Sequence, residues 1–393
     1  MNRFANSDSD QATRALVPFY NHGTEYILIR NDIDKAIERV LLSGEYEHGV
    51  EVEAFEREFA EYLGMSHAIT TGSCHDAMYR GLLALGVSSG HEVITTANTD
   101  IACTVAIRRT GATVVFADID KRTHNLDPDD LIARITPRTR AILAIHMYGH
   151  PADMTSISRI AREHDLLVVE DAAIAVGATF EGKLAGTIGD IGCFSHAPSK
   201  ILSNCGDGGT LVTRDEDLAD RVRHQFIYWQ LRASRTTVSG IQMSKGFEII
   251  EEGMHGRLVE ISAAILRAKL QHLDEWVTSR RRIAEIYSER MSGLDIVLPE
   301  EVGDITHAYR NFVVRVQHRD QVRRRLAECG IETGMHYTPP LHLQPVYASL
   351  GYRAGDLPVT ERVAEELFTL PIYPHLREEQ VDWICEAMST AVG

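Results

Sequence analysis

One lysine, Lys200, closes the run Gly189-Asp190-Ile191-Gly192-Cys193-Phe194-Ser195-His196-Ala197-Pro198-Ser199, and the glycine-rich turn Gly206-Asp207-Gly208-Gly209 follows it. Upstream, the apolar run Leu166-Leu167-Val168-Val169 ends on Glu170-Asp171. A lysine amine can condense with an aldehyde. A carboxylate beneath a pyridine nitrogen keeps that nitrogen protonated, so that the ring accepts electrons. Such a pair, Lys200 with Asp171, is what pyridoxal phosphate chemistry needs. The plainer reading is a solvated lysine in a polar turn and an acid that caps a helix. Glycines let backbone approach closely, and a partly desolvated lysine loses its proton more readily. Spacing alone leaves both readings open.

Thr71-Gly72-Ser73-Cys74-His75-Asp76 sits where a strand gives way to a helix. Backbone N–H groups at a helix start attract a phosphate. The same turn is equally served by Ser73 or Asp76 as a plain N-cap. His146-Met147-Tyr148-Gly149-His150 ends another strand. Without a carboxylate at ligand spacing, its histidines read as packing or hydrogen-bonding groups, and no metal site is expected.

The elements that must position these residues follow from pattern. Two amphipathic helices, Asn31–Leu42 and Val52–Leu63, stop at Gly44 and Gly64. Short apolar runs then alternate with helical segments: Ala68–Thr71 with Asp76–Leu85, Glu92–Thr96 with Ile101–Thr110, Thr113–Ile119 with Pro128–Ile135, Arg140–His146 with Met154–His164, and then Leu166–Glu170. Such repetition predicts a mostly parallel sheet between helices, with right-handed crossovers. Ligands bind at the C-terminal ends of strands in such sheets, where Asp171 lies. Ile191–His196 and Gly209–Thr213 read as strands with no helix between, so part of the sheet is expected to be antiparallel.

A helix near Leu218–Tyr228 precedes a polar, aperiodic stretch to about Gly253, long enough to serve function or to move. Leu258–Met291 reads as one long amphipathic helix bridging two domains. A smaller α/β domain follows: strand Ala308–Val316, helix Asp320–Cys329, loop Gly334–Gly351, and helices Val359–Leu370 and Glu378–Ala391 around Pro371-Ile372-Tyr373-Pro374. The expected division is an N-terminal segment 1–30 (frayed over its first 16 residues), a large domain 31–257, and a bridging helix with the small domain over 258–393.

At 393 residues the chain has room for about two domains, and 44% hydrophobic with 24% charged residues is ordinary for a globular protein. A net charge of −16 argues against non-specific binding of nucleic acid or anionic membrane. Six cysteines at irregular spacing, without a CxxC pair, point to neither a disulfide framework nor zinc. The polar N-terminus and the lack of a long apolar run predict a cytoplasmic protein without a membrane span.

Taken in order, these segments resemble the pyridoxal-phosphate-dependent sugar aminotransferases of the DegT/DnrJ-like family, from about Val17 to Val392. The resemblance rests on Leu42-Ser43-Gly44 with Phe55-Glu56, Gly111-Ala112 with Asp118-Ile119-Asp120, and His146-Met147-Tyr148-Gly149 with Pro151-Ala152-Asp153-Met154. It continues through Glu170-Asp171-Ala172-Ala173, Phe194-Ser195 with Lys200, Gly206-Asp207-Gly208-Gly209, and Gly253 with Arg257. Glu260-Ile261-Ser262-Ala263-Ala264, His336-Tyr337 with Pro340 and His342, and Leu370-Pro371-Ile372-Tyr373-Pro374 complete it.

The resemblance implies a fold-type I α/β transferase with a seven-stranded type of sheet, and a homodimer whose sites are completed by the partner's segment Gly253–Arg257. Lys200 would join the cofactor covalently and then move a proton. Asp171 would pair with the pyridine nitrogen, and Ser195 with the turn Ser73–His75 would hold the phosphate. The usual reaction moves an amino group, commonly from glutamate, onto a keto sugar linked to a nucleotide; some members use keto-cyclitols. Substrate contacts are expected from Phe19–Glu25, residues 229–250 and His336–His342, with Tyr337 and His342 as hydroxyl or phosphate partners.

Several cofactor positions depart from the family pattern. Cys74-His75 stand where Gly-Thr is common, and Asp100 where an aromatic stacks on the ring. Ile174 replaces a glutamine, Val176 a histidine, and His255 the asparagine that reaches the partner's phosphate. Ile174 cannot donate to the cofactor's phenolate. Asp100 is expected to cap helix Ile101–Thr110, and His75 could offer the missing stacking surface. Three rivals stand beside the aminotransferase. A dehydratase of the same family is opposed by Lys200 itself, whereas an epimerase or oxidative deaminase would keep both Lys200 and Asp171. The third is a sensor or partner protein that retains the fold without turnover.

Overall fold

A computed structural model describes residues 16–47, 49–226, 235–238, 241–244 and 252–393. Seven strands of the described residues form one sheet: β1 (His67–Thr71), β2 (Glu92–Thr96), β3 (Thr113–Ala117), β4 (Thr139–Ile145), β5 (Leu167–Asp171), β8 (Ile191–Ser195) and β9 (Gly209–Thr213). Two short strands, β6 (Thr179–Phe180) and β7 (Lys183–Leu184), pair with each other between β5 and β8 in the chain, outside that sheet. The order is β1-β9-β8-β5-β4-β2-β3. The strands from β8 to β3 run parallel, and β9 is antiparallel to both β8 and β1. The expected antiparallel portion is therefore one strand, β9, which turns back beside β8 without a crossover helix.

Alternation along each strand sends neighbours to opposite faces. Val93, Leu143, Val169, Ile191 and Leu211 join a core with Ala77, Met78 and Leu82 of helix Cys74–Ala84. Ile94, Ile142, Ala144 and Val168 join a separate core with Ile157 and Ile160 of helix Met154–Glu163. All of these side chains are buried, and each of the larger ones, from valine upward, contributes about 1.5–3 kcal/mol by leaving water. With both faces covered, the only exposed rim available for chemistry is the strand ends.

The C-terminal portion builds its own core on an antiparallel ribbon, β13 (Phe312–Arg315) with β14 (Leu367–Leu370), reached after the strands β10 (Arg235–Val238), β11 (Ile241–Ser244) and β12 (Ile305–Thr306). Phe312, Val314, Phe368 and Leu370 pack there with Tyr287 and Met388. Asp118, at the end of β3, ties this portion to the sheet. Its carboxylate accepts from the Val359 and Thr360 N–H groups at 2.9 and 2.8 Å, at the start of helix Pro358–Glu366.

Three expectations change. The helix predicted over Val359–Leu370 ends at Glu366, because Leu367–Leu370 is buried on every side chain and finds a strand partner in β13. The long helix predicted over Leu258–Met291 is two, Glu260–Leu270 and Leu273–Met291. Its first half packs Ala263 and Leu266 against Phe55 and Phe59, and its second packs Ile283 and Tyr287 against Phe312. The chain turns at Gln271-His272 between these two cores. The polar stretch before Gly253 contains the antiparallel ribbon β10–β11. Residues 227–234, 239–240 and 245–251, and the first fifteen residues of the frayed end expected over 1–16, lie outside the described set.

Candidate active site

β5 delivers Asp171 to the strand-end rim, and the residue before it fixes that delivery. Glu170 is fully buried and accepts from the Gly186, Ile188 and Gly189 N–H groups and from His146 Nε2 at 2.8 Å. Burial alone would raise its pKa. The His146 hydrogen bond and the backbone donors outweigh that and hold Glu170 below the ordinary value. His146 Nδ1 accepts from the Ala152 N–H at 3.0 Å, so its proton sits on Nε2, facing the carboxylate. The histidine of the His146–His150 run is thus a hydrogen-bonding post, as its spacing predicted.

Asp171 points to the other face and is 4% exposed. Its Oδ1 accepts from the Ala173 N–H at 2.9 Å, and its Oδ2 from the Cys103 thiol at 2.9 Å. Cys103 Sγ is also 3.2 Å from Thr99 Oγ1. Burial, then the Asp171 charge, pushes the Cys103 thiol well up, so it stays protonated and donates. Cys74 and Cys193 are raised in the same order. Among the described residues no cation pairs with Asp171. A buried carboxylate met only by thiols and one N–H is short of a strong partner.

Lys200 follows β8 in a turn closed by its own N–H to Ala197 O at 2.9 Å. Its pKa is lowered, by burial first and then by the Arg310 guanidinium, against the opposing charges of Asp171 and Asp100. The amine therefore reaches its neutral, nucleophilic form at lower pH than an ordinary lysine. Two further contacts hold this turn: His196 Nε2 to Thr210 Oγ1 at 2.8 Å, and Lys269 Nζ to Ser203 Oγ at 3.0 Å.

The turn before helix Cys74–Ala84 lies beside them. Ser73 is the N-cap, its hydroxyl accepting from the Asp76 N–H at 3.2 Å. A Cβ on Gly209 would lie 2.4 Å from Ser73 C, and one on Gly72 would lie 3.3 Å from the Gly256 backbone. The turn is pressed between β9 and the Gly256 strap, whose carbonyl accepts from the Gly72 N–H at 2.6 Å. Ser195 ends β8 on the same sheet, paired with Gly209. A helix-start turn packed against Gly209, a depressed lysine and a buried carboxylate that no cation of the described residues pairs with fit a phosphorylated aldehyde with a basic ring nitrogen.

The remaining candidates separate. Asp100 is the N-cap of helix Ile101–Arg109, accepting from the Ala102 N–H at 2.8 Å, and its charge still reaches Lys200 and Tyr337. His75 hydrogen-bonds Ala102 O at 3.1 Å through Nδ1 and receives Arg109 at 3.2 Å on Nε2, so its ring edges are already committed. Ile174 is buried in the core that also holds Tyr148 and has Tyr337 packed against it. Tyr337 is held near the rim by the Tyr148 hydroxyl, which donates to His336 O at 2.5 Å. His342, expected at a substrate, lies instead at 1% exposure between Phe116 and Tyr352, with Nε2 3.0 Å from Glu361. Apolar residues on both sides draw it into packing. His255 is exposed, and its carbonyl accepts from Arg80 at 2.8 Å.

Two arginines were not among the sequence candidates. Arg80 is fully buried and ties Asp76 at 2.8 Å, Gln225 O at 2.8 Å and His255 O to one guanidinium, stacked 3.7 Å from the centre of the Phe226 ring. It fastens the 254–256 strap to the helix that starts at the Ser73 turn. Arg310 borders Lys200 and Tyr337 electrostatically. In the sequence, each was visible only as a charge set within an apolar run.

Known proteins share this arrangement. The profile of the DegT/DnrJ/EryC1/StrS aminotransferase family matches residues 28–389. The erythromycin biosynthesis sensory transduction protein EryC1 of Saccharopolyspora erythraea is 42% identical over 94% of this chain and 97% of its own. The dTDP-3-amino-3,4,6-trideoxy-alpha-D-glucose transaminase of Streptomyces venezuelae is 39% identical over 97% of both chains. The X-ray structure of S. venezuelae DesV in complex with a ketimine intermediate superposes with a TM-score of 0.88, at 39% identity, over 96% of this chain and 98% of that one. The chain belongs to the DegT/DnrJ/EryC1/StrS aminotransferase family.

Proposed function

We propose that this protein is a pyridoxal-phosphate-dependent aminotransferase that moves an amino group, from glutamate or glutamine, onto a keto sugar carried on a nucleotide. The observation that carries the reading is the pair of Lys200, its pKa lowered by burial and by Arg310, and Asp171, a buried carboxylate that no cation of the described residues pairs with. Pyridoxal phosphate, when bound, supplies an aldehyde that captures amines and a ring that accepts electrons. Asp171 holds a proton at the ring nitrogen, oriented by the Ala173 N–H and the Cys103 thiol. Ser73, Cys74 and Ser195 hold the phosphate. Lys200, once released, moves a proton at the substrate carbon, and its lowered pKa leaves more of the amine free to act as base than in an ordinary lysine at the same pH. Tyr337, which feels the charges of Asp100 and Arg310, is the residue of this rim proposed to meet the reactants.

The working form in this reading is a cytoplasmic homodimer, with the exposed His255 of each strap reaching the partner's phosphate. The sugar transaminase relative supports the substrate class, and amino-sugar or antibiotic biosynthesis is the setting it suggests. The EryC1 name favours a sensory role. A sensor has no need of a depressed amine opposite a buried acid, and turnover is the better account of that pair. The purified protein should show a visible cofactor band that borohydride bleaches, leaving the cofactor mass on the peptide bearing Lys200. Lys200→Ala should abolish amino transfer while leaving the fold intact. A reduced adduct on another residue, or no adduct, would remove the enzymatic reading.

A further inference from the structure

Arg310 lies in the run Tyr309-Arg310-Asn311-Phe312, whose other three residues are buried, and is itself 4% exposed. One nitrogen, Nη2, donates to the Tyr20 hydroxyl at 2.7 Å, and the guanidinium lies 4.9 Å from the centre of that ring. Its Nε is buried and has no hydrogen-bond partner. Among the described residues no carboxylate pairs with it. A buried cation left in this state is costly unless something else supplies the counter-charge.

Its place is set by the turn after β4. The Ala308 N–H donates to Gly149 O at 2.9 Å, and the Asn311 N–H donates to Tyr148 O at 3.2 Å. A Cβ on Gly149 would lie 3.0 Å from Arg310 N and 3.1 Å from Ile174 O. Arg310 thus borders the rim that carries Asp171 through neighbours other than those of the phosphate turn: Ser73 meets Gly209, and its turn meets the Gly256 strap, whereas Arg310 meets Gly149 and Tyr20. A second buried arginine adds to the field. Arg280 donates to Ile372 O at 2.7 Å, its Nε is likewise unpartnered, and burial followed by the Arg310 charge lowers its pKa to about 9. The groups that feel Arg310 include Lys200, His336, Tyr337 and His22, none of them a carboxylate.

Arg310 thus brings a guanidinium that no carboxylate of the described residues neutralises to the neighbourhood of a reactive amine, whose own acids, Asp171 and Asp100, are engaged by the Ala173 N–H with the Cys103 thiol and by the Ala102 N–H. The planar fork of an arginine matches a carboxylate in two-point contact. We propose that Arg310 receives a carboxylate carried by a reactant, and so selects anionic reactants at the Lys200 site. This rests on the aminotransferase reading above. Two reactants could bring the carboxylate: the amino-acid donor, or a keto sugar oxidised to a uronic acid.

The two half-reactions separate these sources. Holoprotein is mixed with L-glutamate and no acceptor, and loss of the visible cofactor band is followed against glutamate concentration. In parallel, UDP-glucuronate and UDP-glucose, which differ by one carboxylate, are titrated by calorimetry. Both arms use wild type, Arg310→Gln and Arg310→Lys. A donor contact predicts that the glutamate concentration for half-maximal rate rises about 10- to 100-fold in Arg310→Gln, with partial recovery in Arg310→Lys. A sugar-acid contact instead predicts that wild type prefers UDP-glucuronate and that Arg310→Gln loses this preference. If neither arm changes in a variant that keeps its cofactor band, the proposal is wrong. If Arg310→Gln loses the band while Arg310→Lys keeps it, the guanidinium serves the cofactor and the proposal is again wrong. A wild-type protein that shows no band at all would defeat the aminotransferase reading itself, which is a different failure.

Discussion

Gly209 offers a test of where the cofactor's phosphate is held. It opens β9 and faces the Ser73–Cys74 turn so closely that a Cβ would stand 2.4 Å from Ser73 C and 2.5 Å from both Cys74 N and Ser73 O. Non-bonded carbon atoms rest at about 3.5–4.0 Å, so Gly209→Ala must push the turn away by about 1 Å. Overpacking of this kind costs about 1–3 kcal/mol, and in a chain of this length each kcal/mol lowers Tm by about 2–4 °C. The fold should therefore survive. A displacement of about 1 Å is enough to cost on the order of 100-fold where donors must meet a fixed group. Apoprotein titrated with pyridoxal phosphate should bind about 10- to 100-fold more weakly after Gly209→Ala. Pyridoxal, which lacks the phosphate, should lose little. Gly206→Ala is the control, since nothing lies within 4 Å of the Cβ it would add. If Gly209→Ala binds pyridoxal phosphate as tightly as Gly206→Ala does, the turn does not hold the phosphate. An equal loss for both ligands would place the damage at Lys200 or Asp171.

Two further outcomes follow from buried charge. Arg80→Met strands the Asp76 carboxylate and the Gln225 and His255 carbonyls, and breaking such a buried pair costs about 3–5 kcal/mol; calorimetry should show a fall in Tm on the order of 10 °C, with Asp76→Asn adding less than its own separate loss. An unchanged Tm would mean that Arg80 fastens nothing. His196 is held neutral by burial, which lowers its pKa to about 4, while in the unfolded chain it titrates near 6.5. The unfolded state therefore binds more protons between those values, so stability is full above pH 6.5 and falls as pH drops towards 4. The loss reaches about 3 kcal/mol. Urea melts at several pH values should show a shallower acid slope for His196→Gln than for wild type; parallel slopes would contradict the assignment.

The large sheet was legible because its signals are local. Each strand is a short apolar run, each following helix has a cap such as Ser73, Asp100, Asp127 or Asp153, and crossover chirality does the rest. The errors fall where tertiary partners decide. Leu367–Leu370 continues the apolar content of the helix before it, and only the presence of β13 alongside makes it a strand. The amphipathic pattern through Gln271-His272 is continuous. That its two halves face different cores is a property of the whole molecule and leaves no trace in the periodicity.

The site divides in the same way. Lys200 and Asp171 could be named as candidates because each ends an apolar run, Lys200 beside a glycine-rich turn, although spacing alone left a solvated lysine and a helix-capping acid equally open. His342 misled because a histidine in a polar loop looks the same whether it meets substrate or, as here, is drawn between Phe116 and Tyr352. Arg80 and Arg310 escaped for the opposite reason. A strand or helix pattern absorbs one charge among apolar residues as noise, yet burial makes such a charge the most expensive group in its element. Arg80 is repaid within the chain, by Asp76 and the carbonyls of the strap. Among the described residues Arg310 hydrogen-bonds Tyr20 and meets no carboxylate. An arginine that the fold buries and does not neutralise is best explained by an anion that arrives with the reaction, and this makes the identity of that anion the nearest route to the substrate.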